Sequence, residues 1–153
     1  MSVIPEPPLQ TPLTLFGIDY GTRKIGVSVG QNVTRTAMGI AVIPVRSGEP
    51  DWEALDKLVA QWKPGMFVVG MPYNMDGTES EISARVKKFA KTLSERYQKP
   101  GEFVDERLST RAAREISRDN AELIGKRYNE RSKVDAMAAQ LLLESWFESA
   151  ATQ

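Results

Sequence analysis

The stretch "FGIDYGTRKIGVSVG", Phe16–Gly30, carries a carboxylate, Asp19, at the end of an apolar run, followed by a glycine and two cations. Leu13–Gly21 reads as a strand, apolar enough to be buried on both faces. Lys24–Gln31 reads as a second strand, and the short turn between them predicts a hairpin. Arg35–Val45 reads as a third, so the chain opens as an antiparallel meander, with "RSGEP" after it as a loop.

The period then changes. Trp52, Leu55, Leu58, Val59 and Trp62 recur at helical spacing behind a candidate N-cap, Asp51. "KPG" stops that helix, and Met66–Met71 is a short buried strand followed by the loop "PYNMDG". Thr78 and Glu81 form a capping-box pattern. The helix behind it is expected to bury Ile82, Val86, Phe89, Leu93 and Tyr97 before a second "KPG". Glu102–Arg107 reads as a fifth strand and Ser109 as a helix start, with Arg118–Arg131 polar and mobile. A last helix begins near Ser132 and buries Val134, Ala138, Leu141, Leu142 and Trp146. The order β-β-β-α-β-α-β-α-α predicts an α/β domain. Its sheet is five-stranded and mixed, a meander plus parallel strands, with helices on both faces. Residues 13–150 form that domain, and residues 1–12, with four prolines, form a flexible extension.

The composition excludes several chemistries. The 153 residues include neither cysteine nor histidine. Disulfides, thiolate metal sites, Ser-His-Asp triads and histidine-held zinc are therefore out, and the absence of cysteine fits a cytoplasmic protein. No apolar run reaches membrane-spanning length, and the start lacks the basic and apolar regions of a secretory signal. The net charge is zero but uneven: −3 over residues 1–83, +6 over 84–133 and −3 over 134–153. A basic middle beside acidic ends suggests an anionic partner held near a few carboxylates.

Asp19 ends the first strand, and Asp105 and Glu106 end the fifth. Ligands of such sheets collect at the carboxyl ends of the parallel strands. Asp135 falls in the first turn of the last helix. If that helix packs beside the first strand, three carboxylates converge. Clustered carboxylates repel unless protonated or bridged by a cation, and an oxygen-only donor set suits Mg²⁺ or Mn²⁺. Taken singly, each acid is better read as a turn residue, a surface ion-pair partner or a charge favouring the helix dipole, and only their joint placement at strand and helix ends brings the site reading level with these. Asp105 and Glu106 point to opposite faces, and alternation alone does not choose between them.

"FGIDYGTRKIGVSVG", "VVGMPYNMDGTESE", "VDERLSTRAA" and "SKVDAMAAQLLLESW" resemble the four motif blocks of the YqgF family. Its members are also called RuvX or pre-16S rRNA nucleases and are relatives of the Holliday junction resolvase RuvC. The resemblance spans most of Leu13–Trp146 and implies a ribonuclease H-like fold. By alignment, the family's acids fall on Asp19, Glu106 and Asp135. Met71 stands where leucine is commoner. The resemblance implies two-metal phosphodiester hydrolysis with Mg²⁺ or Mn²⁺. The substrate would be an RNA precursor, in 5′-end processing of pre-16S rRNA during ribosome biogenesis, or branched DNA, and ribosomal particles are implied partners. Arg23, Arg107 and Arg111 would hold phosphates, and Asn74 would donate to one. Gly17 and Gly21 would keep the backbone slim for an approaching polymer.

Two other readings bear on the same residues. "GIDYGT" also resembles the first phosphate motif of actin-like and Hsp70-like ATPases. Those close two lobes on a nucleotide and need roughly 300 residues at about 150 per domain, where this chain offers one. The basic Arg85–Lys133 region alone would suit a non-catalytic nucleic-acid or ribosome-associated module, which the intact acid set argues against. Gly21 and Gly26 have the spacing of a P-loop, but Val27 stands where its lysine belongs.

Overall fold

The structure, a computed structural model, describes residues 11–106 and 130–151, with side chains in the second segment described from 136 to 149. The meander is β1 (Thr14–Tyr20), β2 (Lys24–Gln31) and β3 (Thr36–Arg46), paired antiparallel in sequence order. Asp19 of β1 faces Gly26 of β2 across the ladder. The sheet has six strands rather than five. In the segment expected as a loop, Ser47 and Gly48 take positive φ values of 53° and 78°, a two-residue reversal that lets Glu49–Pro50 pair back on β3 as β4. Pro50 lacks an amide and is tolerated there because β4 is the edge.

Two helix–strand units follow. Helix α1 (Trp52–Trp62) is capped by Asp51, whose side chain accepts from the Ala54 amide at 3.1 Å, and ends at Lys63 with φ 50°. Strand β5 (Met66–Met71) lies parallel to β1. Helix α2 (Ser83–Tyr97) starts after the expected capping box. Thr78 is instead held by Asp76, through backbone and hydroxyl bonds of 2.9 and 2.6 Å. Ser83 Oγ accepts from the Ser80 amide at 2.8 Å and the Ser83 amide donates to the Ser80 carbonyl, so serines set the helix start. Val86, Phe89 and Leu93 are buried as expected, with Ile82 and Tyr97 half-buried. Strand β6 (Gly101–Asp105) runs parallel to β5, and the sheet order is β4-β3-β2-β1-β5-β6. The helix expected from Ser109 and the stretch Arg118–Arg131 lie almost wholly outside the described residues.

Helix α3 (Glu130–Ala151) begins two residues before the expected Ser132. Its buried stripe is Ala139, Leu142, Leu143 and Phe147. Ala138, Leu141 and Trp146 are only half-buried, so the helix is rotated from the expected orientation. The two sheet faces carry separate cores. Phe16, Ile18, Phe67 and Val69 pack with Leu55, Val86, Phe89 and Leu93 of α1 and α2. Leu15, Val68 and Val104 pack with Leu142, Leu143 and Phe147 of α3. The α1–α2 layer is tied by Asp56, which accepts from Arg96 Nε and Nη2 at 2.9 and 2.7 Å and from the Tyr97 hydroxyl at 2.6 Å. Those donors, Arg96 first, hold the Asp56 carboxyl down at about 2, while burial, then the hydrogen bond to Asp56, pushes the Tyr97 phenol up. No described helix is long and apolar enough to cross a membrane.

Candidate active site

The two-core arrangement decides which side chains share a face. Leu15 packs under α3 and Phe16 under α1 and α2, so alternation along β1 directs Leu15, Gly17 and Asp19 to the α3 face. On β6, Val104 lies in the α3 core and the Glu102 carboxylate accepts from Trp146 Nε1 at 3.1 Å. Phe103 lines a cavity on the opposite face with Lys87 and Ala90 of α2. Glu106 follows β6 directly, and its amide still donates to the Met71 carbonyl at 3.0 Å, extending the ladder by one residue. Continuing the alternation aligns Glu106 with Asp19 and Asp105 with Phe103. Of the two neighbouring acids, the alternation puts Glu106 on the face that α3 covers and Asp105 on the other.

The parallel register sets the heights. Ile18 is level with Val69, and Val69 with Phe103. Asp19 is therefore one residue, and Glu106 three residues, beyond that row toward the carboxyl ends. Both are half-buried.

Helix α3 descends antiparallel to β1. The Ala139 carbonyl abuts Gly17, Leu143 reaches Gly17 and Gly30, and Phe147 reaches Gly30, which pairs with Leu15. The N-terminal turn of α3 consequently lies toward Asp19. Asp135 lies in the second turn of α3, four residues before Ala139 along the chain. Among the described residues, no group of three acids is gathered as a metal site, the Asp135 side chain not being one of those described.

Two side chains that the sequence reading passed over fix this helix. Ser28, fully buried, donates from Oγ to the Ala139 carbonyl at 2.7 Å. Gln140 Oε1 accepts from the Gly39 amide at 3.0 Å. The available signal was a lone hydroxyl inside the apolar run of β2. Gly17 also has a different duty from the one expected. A Cβ there would strike Ser28 Oγ and come within 2.9 Å of the Ala139 carbonyl and 3.0 Å of Leu143 Cβ. Gly17 is buried beneath α3 and admits the helix, with no room for a polymer. Gly21 serves the β1–β2 turn, where a Cβ would lie 2.6 Å from the Lys24 carbonyl.

The cations separate into described and undescribed. Arg23 is exposed in the β1–β2 turn, at the same end of the sheet as Asp19. Asn74 is exposed, but both donors of its side-chain amide are used within its own loop, on Thr78 Oγ1 at 3.0 Å and the Glu79 carbonyl at 3.2 Å. It shapes the loop after β5, and donation to a phosphate would require one of these bonds to break. Arg107 and Arg111 lie outside the described residues.

The family model for RuvX, described as Holliday junction resolvase, matches residues 13–149. This chain belongs to the RuvX family. A RuvX relative from Chromohalobacter salexigens, named "Putative pre-16S rRNA nuclease", is 48% identical over 134 residues, 87% of this chain and 88% of that protein. One of the same name from Glaesserella parasuis is 46% identical over 137 residues, 88% of this chain and 96% of its own. Among solved structures, Thermus thermophilus RuvC in complex with a Holliday junction matches with a TM-score of 0.55 at 16% identity, over 91% of this chain and 96% of that one. The fowlpox virus resolvase with its substrate junction matches at 0.55 and 12% identity, over 90% and 99%. At these identities the likeness is one of fold, and it agrees with the ribonuclease H-like arrangement expected for RuvX.

Proposed function

We propose that this protein is a divalent-metal-dependent nuclease that trims the 5′ end of pre-16S rRNA during ribosome biogenesis. The observation that carries the reading is the common face: Asp19 near the end of β1 and Glu106 just after β6 are on the side covered by α3, whose first two turns include Asp135. The donor chemistry fits Mg²⁺ or Mn²⁺, since carboxylates on stiff strand ends supply hard oxygen ligands, with no histidine or thiolate in the chain to favour zinc. Asp19, Glu106 and Asp135 would hold the cation or cation pair. When bound, such ions polarise the phosphoryl oxygen and make water nucleophilic at neutral pH. The chain's own part is to aim the acids and hold the phosphates, with Arg23, Arg107 and Arg111 as the candidate cations. The names of the close relatives support the substrate, and the reading implies the cytoplasm and the ribosomal precursor as its setting.

The test is hydrolysis of single-stranded RNA bearing the 16S leader, single-stranded DNA and a four-way junction, side by side, in Mg²⁺, in Mn²⁺ and in EDTA. Residues acting as one metal site are non-additive. Asp19→Asn and Asp135→Asn should each abolish most cleavage, and the double variant should lose little more. Full activity in EDTA, or a wild-type rate in either single variant, refutes the metal-site reading. Preference for the junction over RNA reassigns the substrate to branched DNA.

A further inference from the structure

On the face opposite Asp19, at the same end of the sheet, a cleft of about 560 Å³ opens between the N-terminal halves of α1 and α2 and the Ser47–Gly48 turn. Its floor is Phe89, with Tyr20 and Trp52 as half-buried walls, 5.0 and 5.6 Å from Phe89 between ring centroids. Arg85 and Lys88 line it from successive turns of α2, and Glu49 is its acid. From Ile82 to Ser94 the chain has four cations and no acid. Lys87 is paired with Glu79, whereas Arg85 and Lys88 make no ion pair among the described residues. The Tyr20 hydroxyl likewise has no hydrogen-bond partner among them.

We propose that this cleft binds the single-stranded flank of the nucleic acid whose scissile bond lies at Asp19, an inference that rests on the nuclease reading above. Asp19 and Tyr20 are successive residues directed to opposite faces of β1. A strand crossing the carboxyl end of β1 therefore passes from the acids on one face into the cleft on the other. Cations at i and i+3, about 5–6 Å apart at Cβ, lie along the helix as neighbouring phosphate holders. Aromatic walls beside a basic groove are the arrangement that retains single strands without reading their sequence. Trp52 is already engaged, stacked on Phe89 and with the Arg96 guanidinium 5.1 Å from its ring centre, and it forms the wall beside the base. The base therefore meets Tyr20, whose hydroxyl donates to it or to its phosphate.

The experiment measures binding of a labelled single-stranded oligonucleotide to the full chain in the Asp19→Asn background, without divalent metal, over a range of salt. Each lost phosphate contact flattens the slope of log K against log salt by about 0.7. Adding Arg85→Ala and Lys88→Ala should flatten it by about 1.4, so a fourfold rise in salt costs the variant about sevenfold less affinity than its parent. Lys57→Ala, an exposed cation on α1 paired with Glu53, should leave the slope as it was. Equal slopes for the double variant and its parent overturn the cleft and leave the nuclease reading standing, because the strand is then held elsewhere. A parent that binds no single strand overturns both. As a measurement independent of any variant's folding, a 4-thiouridine oligonucleotide irradiated on the wild-type protein should cross-link to the peptides containing Tyr20 or Trp52. Adducts confined to other peptides refute the proposal.

Discussion

Replacing Gly17 with alanine tests the packing that joins the two halves of the proposed site. The added methyl has three obstacles: Ser28 Oγ, the Ala139 carbonyl 2.9 Å away and Leu143 Cβ 3.0 Å away. Only the first is able to rotate. If it does, Ser28 gives up its 2.7 Å bond to Ala139 and leaves a buried hydroxyl unpaired, costing about 1–3 kcal/mol. The other two obstacles yield only if α3 lifts by a few tenths of an ångström, an overpacking cost of about 1–3 kcal/mol. A combined loss of about 3 kcal/mol corresponds to a melting point lower by about 6–12 °C for a chain of this size. The lift also moves the turn carrying Asp135 away from Asp19, so metal-dependent cleavage should fall in the protein that remains folded at assay temperature. Thermal unfolding followed by circular dichroism gives the first number and a cleavage assay well below the transition the second. Adding Ser28→Ala should recover part of the loss, because it removes the hydroxyl that has nowhere to go. A melting point within about 2 °C of wild type would refute this account, and with it the claim that Gly17 exists to admit α3.

Three further outcomes are expected. Glu106→Gln should weaken Mn²⁺ binding, measured calorimetrically, far more than Asp105→Asn does; the reverse order would show that the alternation breaks at the end of β6. Asp56→Asn should lower stability at pH 7 by less than about 1 kcal/mol, since both side chains of the Arg96 pair are about two-fifths exposed. Because folding depresses the Asp56 pKa from 3.8 to about 2, its contribution is complete above 3.8 and disappears as the pH falls through about 2, so urea titrations of wild type and variant should converge there. Arg111→Ala should reduce the salt slope of single-strand binding by about 0.7 with little change in melting point; unfolding of the variant with an unchanged slope in the folded fraction would make Arg111 a structural partner of the carboxylates.

What was legible in the sequence followed from local rules. The period-2 and period-3.6 stretches set the strands and helices, Asp51 announced α1, and the turn between β1 and β2 announced the hairpin. The strand β4 was missed because two residues carry no period. Its only trace was the Ser-Gly pair, which tolerates positive φ. The choice between Asp105 and Glu106 was illegible for a different reason. Alternation separates two faces but does not say which one a distant helix will cover. Gly17 was misread on the same account, since its neighbours Ala139 and Leu143 lie far along the chain. The cleft residues Tyr20, Arg85 and Lys88 left a faint signal, a helix face with cations and no acids, that acquires meaning only beside the aromatic residues.

The Ser28–Ala139 bond spans 111 residues, and the Gly39–Gln140 bond spans 101. Helix α3 follows every other described element along the chain, yet it covers the strands made first. During synthesis, then, β1, β2 and β3 emerge long before α3, and Leu15, Val68 and Val104 wait for the helix they pack against. Contacts this distant in sequence are slow to form, because the intervening loop must close before they contribute. The proposed metal site, which takes one acid from each end of the chain, is complete only after that late step. A ribosome-bound nascent chain thus carries Asp19 for most of its synthesis without α3, and a polypeptide cut short before α3 lacks the helix that, among the described residues, covers this face of the sheet.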